Sequence, residues 1–186
     1  MIKILIICGK TSSGKNAVVN KLVNEYGYRQ VVTSTTRPMR KGEQQDVTYH
    51  FISEEDFIQK IREGLFSEYK TYNTEFGTWY YGTAVEDLEN ADEKSVIILT
   101  PQGYRDVKSK FPEKDITCIY LYADNETLKK RLKIRDDNPK EAARRLTHDD
   151  EDFKDFEKES DKIVYNNFNA DINEVIKKIL DFVEDK

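Results

Sequence analysis

The chain has 186 residues, enough for one domain with its own core, and 38% of them are apolar against 35% charged. A net charge of −5 argues against a chain-wide nucleic-acid surface. The longest apolar runs, ILIIC and VIIL, are too short to span a bilayer, so no membrane association is expected.

Nothing at the N-terminus resembles a secretion signal, because a short apolar run after Lys3 leads directly into a glycine loop. IKILIIC reads as a buried strand bounded by Gly9. Residues 14–26 read as a helix with Val18, Val19, Leu22, Val23 and Tyr26 on one face and Gly27 as its stop. A second strand is expected over 28–32, and Ser53 caps a helix that Gly64 ends. SVIILT (95–100) and ITCIYLY (116–122) are further buried strands, separated by a helix near 102–110. Helices near 125–135 and from Pro139 to Glu157 follow, then the short strand KIVY and a final amphipathic helix carrying Ile172, Val175, Ile176, Ile179, Leu180 and Val183. Alternating helices and continuously apolar strands imply a parallel sheet covered on both faces. Residues 33–83 and 125–158 interrupt that alternation and read as excursions from one domain rather than as separate domains.

Cys8 and Cys118 lie in apolar runs and read as reduced core thiols of a cytoplasmic protein, while His50 and His148 are too few for a His/Cys metal cluster. Charge is uneven: 129–145 is rich in Lys and Arg, and 149–161 reads DDEDFKDFEKESD, a solvated helix face.

CGKTSSGKNA has phosphate-loop spacing, with Gly9, Gly14 and Lys15 between a strand and a helix, where backbone N–H groups and a helix start face an anion. Gly9, Lys10, Thr11, Ser12, Ser13, Gly14, Lys15, Asn16 and Ala17 are therefore candidates to bind ATP, with Lys15 reaching its terminal phosphates. Asn16 stands where a hydroxyl normally ligates Mg²⁺, and its amide oxygen is a weaker donor. Farther on, TSTTRPMRKGEQQDVTYHF places Arg37, Arg40 and Tyr49 together, a set suited to gripping a phosphate monoester; on residues alone a basic surface loop is an equal reading.

This second segment resembles the GMP-binding signature of guanylate kinases through Thr33, Thr36, Arg37, Arg40, Gly42, Glu43, Tyr49 and Phe51. With the phosphate loop, FSEY around Glu68, WYYGT ending at Thr83, LKKRLKIR at 128–135 and YNN near Asn166, the resemblance covers nearly the whole chain. It implies a three-layer α/β fold of the P-loop NTP hydrolase type, with a core over 1–32, 84–124 and 159–186, a monophosphate-binding region at 33–83 and a helical lid at 125–158. It implies phosphate binding by Arg37, Arg40, Tyr49 and Tyr81, and guanine recognition by Glu68, Thr33 and Thr83. Lid residues Arg131, Arg135 and Arg145 are expected over the transferring group and Asn166 beside adenine.

The implied reaction is Mg²⁺-dependent transfer from ATP to GMP or dGMP, by a monomer or homodimer that binds no nucleic acid. The chain departs from the family where Asp-x-Asp-x-Gln-Gly is usual: it has Ile98-Leu99-Thr100-Pro101-Gln102-Gly103, so Thr100 takes the place of a guanine-facing carboxylate. A kinase of broader monophosphate choice and a guanylate-kinase-like binding module are the alternatives.

Overall fold

The computed structural model describes residues 3–40, 42–134 and 139–185. KILIIC forms strand β1 (Lys3–Cys8), and the glycine loop leads into helix α1 (Lys15–Tyr26). Val18, Val19 and Leu22 are buried as the spacing requires, but Tyr26 remains 37% exposed. Strand β2 is confined to Arg29–Gln30, shorter than the pattern promised.

The chain then leaves this layer. Strands β3 (Ser34–Thr35) and β4 (His50–Phe51) precede helix α2 (Glu54–Arg62), whose cap Ser53 accepts the Asp56 N–H at 3.0 Å. A long hairpin follows, β5 (Phe66–Thr74) against β6 (Gly77–Ala84). Helix α3 (Val85–Glu89) returns the chain to β7 (Ser95–Ile98), α4 (Pro101–Lys110) and β8 (Asp115–Tyr122). Charged helices α5 (Asn125–Ile134) and α6 (Pro139–Asp152) come next, then β9 (Lys162–Tyr165) and α7 (Ile172–Glu184).

Two sheets result. The first has five strands in the order β2-β7-β1-β8-β9, each pair parallel. The second has four, β4-β3-β6-β5, and is built entirely from the excursion between β2 and β7. Alternate residues of β1 feed opposite faces of the parallel sheet, as strand geometry demands. Ile4, Ile6 and Cys8 pack with Leu88, Tyr104 and Val107 on one side. Leu5 and Ile7 pack with Val18, Leu22, Val175, Ile176 and Ile179 on the other. Burying each such aliphatic side chain contributes about 1.5–3 kcal/mol.

Cys8 and Cys118 are free and buried, as read from sequence. Helix α6 ends earlier than expected. Asp155 adopts a left-handed φ of 60°, a 3₁₀ turn follows at Phe156–Lys158, and Phe153 and Phe156 are driven into the core at 5% and 0% exposure. Among the described residues no helix is long and apolar enough to cross a membrane.

Candidate active site

A cavity of about 900 Å³ runs between the two sheets, walled by the glycine loop, the Arg37 loop, the β5–β6 hairpin, the start of α4 and the side of α6. Its first wall is the phosphate loop. Gly14 has φ 100°, a value L side chains rarely adopt, and a Cβ there would stand 2.4 Å from Asn166 Nδ2. Helix α1 begins at Lys15, so the first-turn N–H groups of Lys15, Asn16 and Ala17 have no intrahelical partner; Lys15 and Asn16 line the cavity. The Lys15 ammonium is aligned by the carbonyls of Gly9 at 2.7 Å and Lys10 at 3.0 Å. Ser13 Oγ is the one buried side-chain polar atom, among the described residues, with no hydrogen-bond partner.

Two residues expected to reach the nucleotide brace the loop from behind in this structure. Asn166 is 4% exposed and donates Nδ2 to the Ser13 carbonyl at 2.8 Å, a commitment that leaves it outside the cavity lining. Arg131 donates to the same carbonyl at 3.0 Å, to Ser12 at 3.3 Å and to Asn167 at 3.4 Å, and also lies outside the lining. Burial lowers its pKa.

The second wall carries the monoester-binding candidates. Arg37 is 4% exposed and makes a two-pronged pair with Glu43, at 2.7 and 2.5 Å. Burial pulls the Arg37 pKa down, but the Glu43 hydrogen bond and nearby Tyr81 outweigh it, and the net shift is upward. Glu43 answers with a pKa lowered chiefly by that same hydrogen bond. It also accepts the Arg40 N–H at 2.7 Å, so one carboxylate orients both arginines of the segment. Tyr49 lies under the guanidinium, 5.1 Å from Arg37 Cζ to the ring centroid, and its ring meets Tyr81 edge-on at 6.0 Å. Burial raises the Tyr49 pKa. The pattern of basic residues did not single out Glu43, although it stands in the signature and pairs with Arg37.

At the far end Glu68 faces the cavity from β5. Burial pushes its carboxyl up to about 7, against the opposing hydrogen bond from Thr83. Thr83, expected to donate to a base, is fully buried and donates its hydroxyl proton to Glu68 Oε1 at 2.5 Å. That hydrogen bond fixes one oxygen of Glu68. Thr33 and Thr100 both line the cavity. The Thr100 hydroxyl caps α4 by accepting the Gly103 N–H at 3.1 Å.

Helix α6 contributes Arg144, Arg145, His148 and Asp149 to the lining. Arg135 lies outside the described residues. The acidic run is mostly exposed, as its composition indicated, and three acids at its start also hold distant partners. Asp149 accepts the Thr11 N–H at 2.5 Å, Asp150 pairs with Lys10 at 2.5 Å, and Asp152 pairs with Lys70 of β5.

Among the described residues no group of three or more His, Cys, Asp or Glu side chains is arranged to hold a metal. Asn16 is exposed at the start of α1 and offers one amide oxygen to the cavity. That donor set fits a hard cation arriving with nucleotide phosphates and water, rather than one resident in a protein cage.

The family model described as guanylate kinase matches residues 1–186. A guanylate kinase of Bdellovibrio bacteriovorus is 30% identical, over 96% of this chain and 96% of its own length. One from Prochlorococcus marinus subsp. pastoris is also 30% identical, over 98% and 97%. The crystal structure of guanylate kinase from Anaplasma phagocytophilum shares the fold with a TM-score of 0.66, at 24% identity, covering all of this chain and 88% of that one. Matched along its entire length by that model and nearly so by these relatives, the chain belongs to the guanylate kinase family.

Proposed function

We propose that this chain transfers the γ-phosphoryl group of ATP to GMP, and to dGMP, releasing ADP and GDP or dGDP. The observation that carries the reading is one cavity bounded by an aligned phosphate-loop lysine, a buried arginine held by Glu43, and a carboxylate on β5. Such transfer needs charge neutralisation and alignment more than covalent chemistry.

The loop N–H groups other than that of Thr11, together with Lys15, bind the donor phosphates, and Arg37, Arg40, Tyr49 and Tyr81 hold the acceptor phosphate in line with them. Glu68, ionised, accepts from guanine N1–H and the 2-amino group, with Thr83 fixing its orientation. Arg145 covers the transferring group from the lid, and closure of the regions at 33–83 and 125–158 on the core excludes water. Mg²⁺, when bound, neutralises charge on the donor phosphates; Asn16 is the side chain placed to share in holding it.

A second reading, broader base choice, is favoured by Thr100, whose hydroxyl oxygen already serves as a helix cap. ADP release measured with ATP and Mg²⁺ against GMP, dGMP, AMP, CMP, UMP and dTMP separately tests both. Turnover limited to GMP and dGMP is the expected result. Comparable turnover with other bases moves the chain to the broader class, and silence with all six in a sample that binds GMP makes it a binding module.

A further inference from the structure

The last turn of α6 reads Asp149-Asp150-Glu151-Asp152, four acids at the end of a helix where aligned peptide dipoles already concentrate negative charge. Helix energetics disfavour that composition, so what offsets it lies outside the helix. Three of the four acids have distant partners. Asp149 takes the Thr11 N–H and Asp150 the Lys10 ammonium, both in the phosphate loop, while Asp152 takes Lys70, two residues beyond Glu68 on the same face of β5. Glu151, the fourth, is exposed. The turn thus touches the donor loop and the acceptor sheet at once.

Arg145 precedes Asp149 by four residues, which places the two on the same side of α6, and both line the cavity. We propose that Asp149 is a positioning residue for phosphoryl transfer: by accepting the Thr11 N–H it fixes the lid helix against the phosphate loop and so sets Arg145 over the transferring group. The inference rests on the GMP kinase reading of the cavity. Its partner is a backbone N–H, which any well-placed oxygen satisfies, so the docking depends on an acceptor and not on charge.

The test compares the full-length chain with Asp149→Ala and Asp149→Asn, measuring kcat and KM with ATP, Mg²⁺ and GMP, and exchange of the Thr11 amide by NMR without ligand. Removing an acid from a helix C-terminus does not weaken the helix, so both variants fold. In Asp149→Ala, kcat falls about tenfold with the GMP KM within about twofold, and Thr11 exchanges at least tenfold faster. Asp149→Asn, whose amide oxygen still accepts, stays within about threefold of the parent kcat.

Parental kcat in Asp149→Ala overturns the proposal. So does Asp149→Asn as slow as Asp149→Ala, which would make the negative charge itself the requirement. Tighter ATP binding by Asp149→Ala also overturns it, since the contact would then obstruct the donor. A parent chain that does not phosphorylate GMP overturns the underlying reading instead, while Thr11 exchange still reports on the contact by itself.

Discussion

Glu68 lies against the α-carbon of Gly103, so close that a methyl group there would stand 3.0 Å from Glu68 Oε2. Gly103 is in the first turn of α4, a conformation open to alanine, and alanine is favoured over glycine in a helix by up to about 1 kcal/mol. Glu68 cannot retreat freely, because its other oxygen holds the Thr83 hydroxyl at 2.5 Å. Overpacking against a fixed Glu68 outweighs that gain, so Gly103→Ala is expected to melt slightly below the parent while binding GMP about fivefold more weakly, on the scale of a disturbed charged hydrogen bond. Thermal unfolding and calorimetric titration separate the two effects. Parental GMP affinity would show that Glu68 does not need the space.

Glu68 also sets a pH dependence. Its carboxyl is raised from 4.5 to about 7 by burial, and on the proposed reading only the ionised form accepts both guanine N–H groups. GMP affinity should fall as pH drops below about 7, approaching tenfold per unit. Stability runs the other way. A raised carboxyl pKa contributes stability that is fully present below 4.5 and is lost as pH rises through about 7. Glu68→Gln should then melt above the parent at pH 8, match it near pH 4, and lose on the order of a hundredfold in kcat/KM for GMP. Equal melting differences at both pH values would contradict this account.

Removing Glu43 strands a guanidinium that is only 4% exposed. Because Glu43 itself is partly exposed, Glu43→Ala is expected to cost about 2–4 kcal/mol, below the full penalty of breaking a fully buried pair. Urea denaturation reads the loss, and GMP affinity should fall with it as Arg37 loses its orientation. The Arg37 hydrogen bond holds the Glu43 carboxyl below its ordinary 4.5, so the pair's contribution is present above that value and lost as pH falls through the lowered one.

Lys15→Ala should reduce kcat by about a thousandfold or more, with GMP affinity within about twofold, since the lysine serves the donor side. Single-turnover rates and GMP titration distinguish this from a general loss of structure. Normal turnover would remove Lys15 from the mechanism.

Much of this was legible in the chain. Strand runs bounded by glycine gave the parallel layers, and the spacing Gly9, Gly14, Lys15 gave the loop. Local signals failed where the answer depended on which distant group arrives. Thr83 has a hydroxyl suited to a base, and only the hairpin register that sets it beside Glu68 assigns its proton. The end of β9 brings Asn166 under Ser13, 153 positions earlier, a contact that no local pattern announces. The acidic turn of α6 is largely exposed, as read, but its contacts with Thr11 and Lys70 join residues 138 and 82 positions apart and leave no local signal. Nor did any glycine or proline mark the end of that helix; a left-handed aspartate, Asp155, lies beyond it.

The two sheets differ in when their strands can meet. Every strand of the acceptor sheet lies between residues 34 and 84, so it is assembled from near neighbours in sequence. Among the described residues, strand β1, which leads into the glycine loop, pairs only with β7 and β8, beginning at residues 95 and 115. Those pairings are non-local and close slowly. During synthesis, which proceeds from the N-terminus, a chain that has reached residue 90 holds all of its acceptor strands, yet its phosphate loop has neither flanking strand to anchor it. The first segment of the site to be made is thus the last to be finished, and the donor end waits on the second half of the chain.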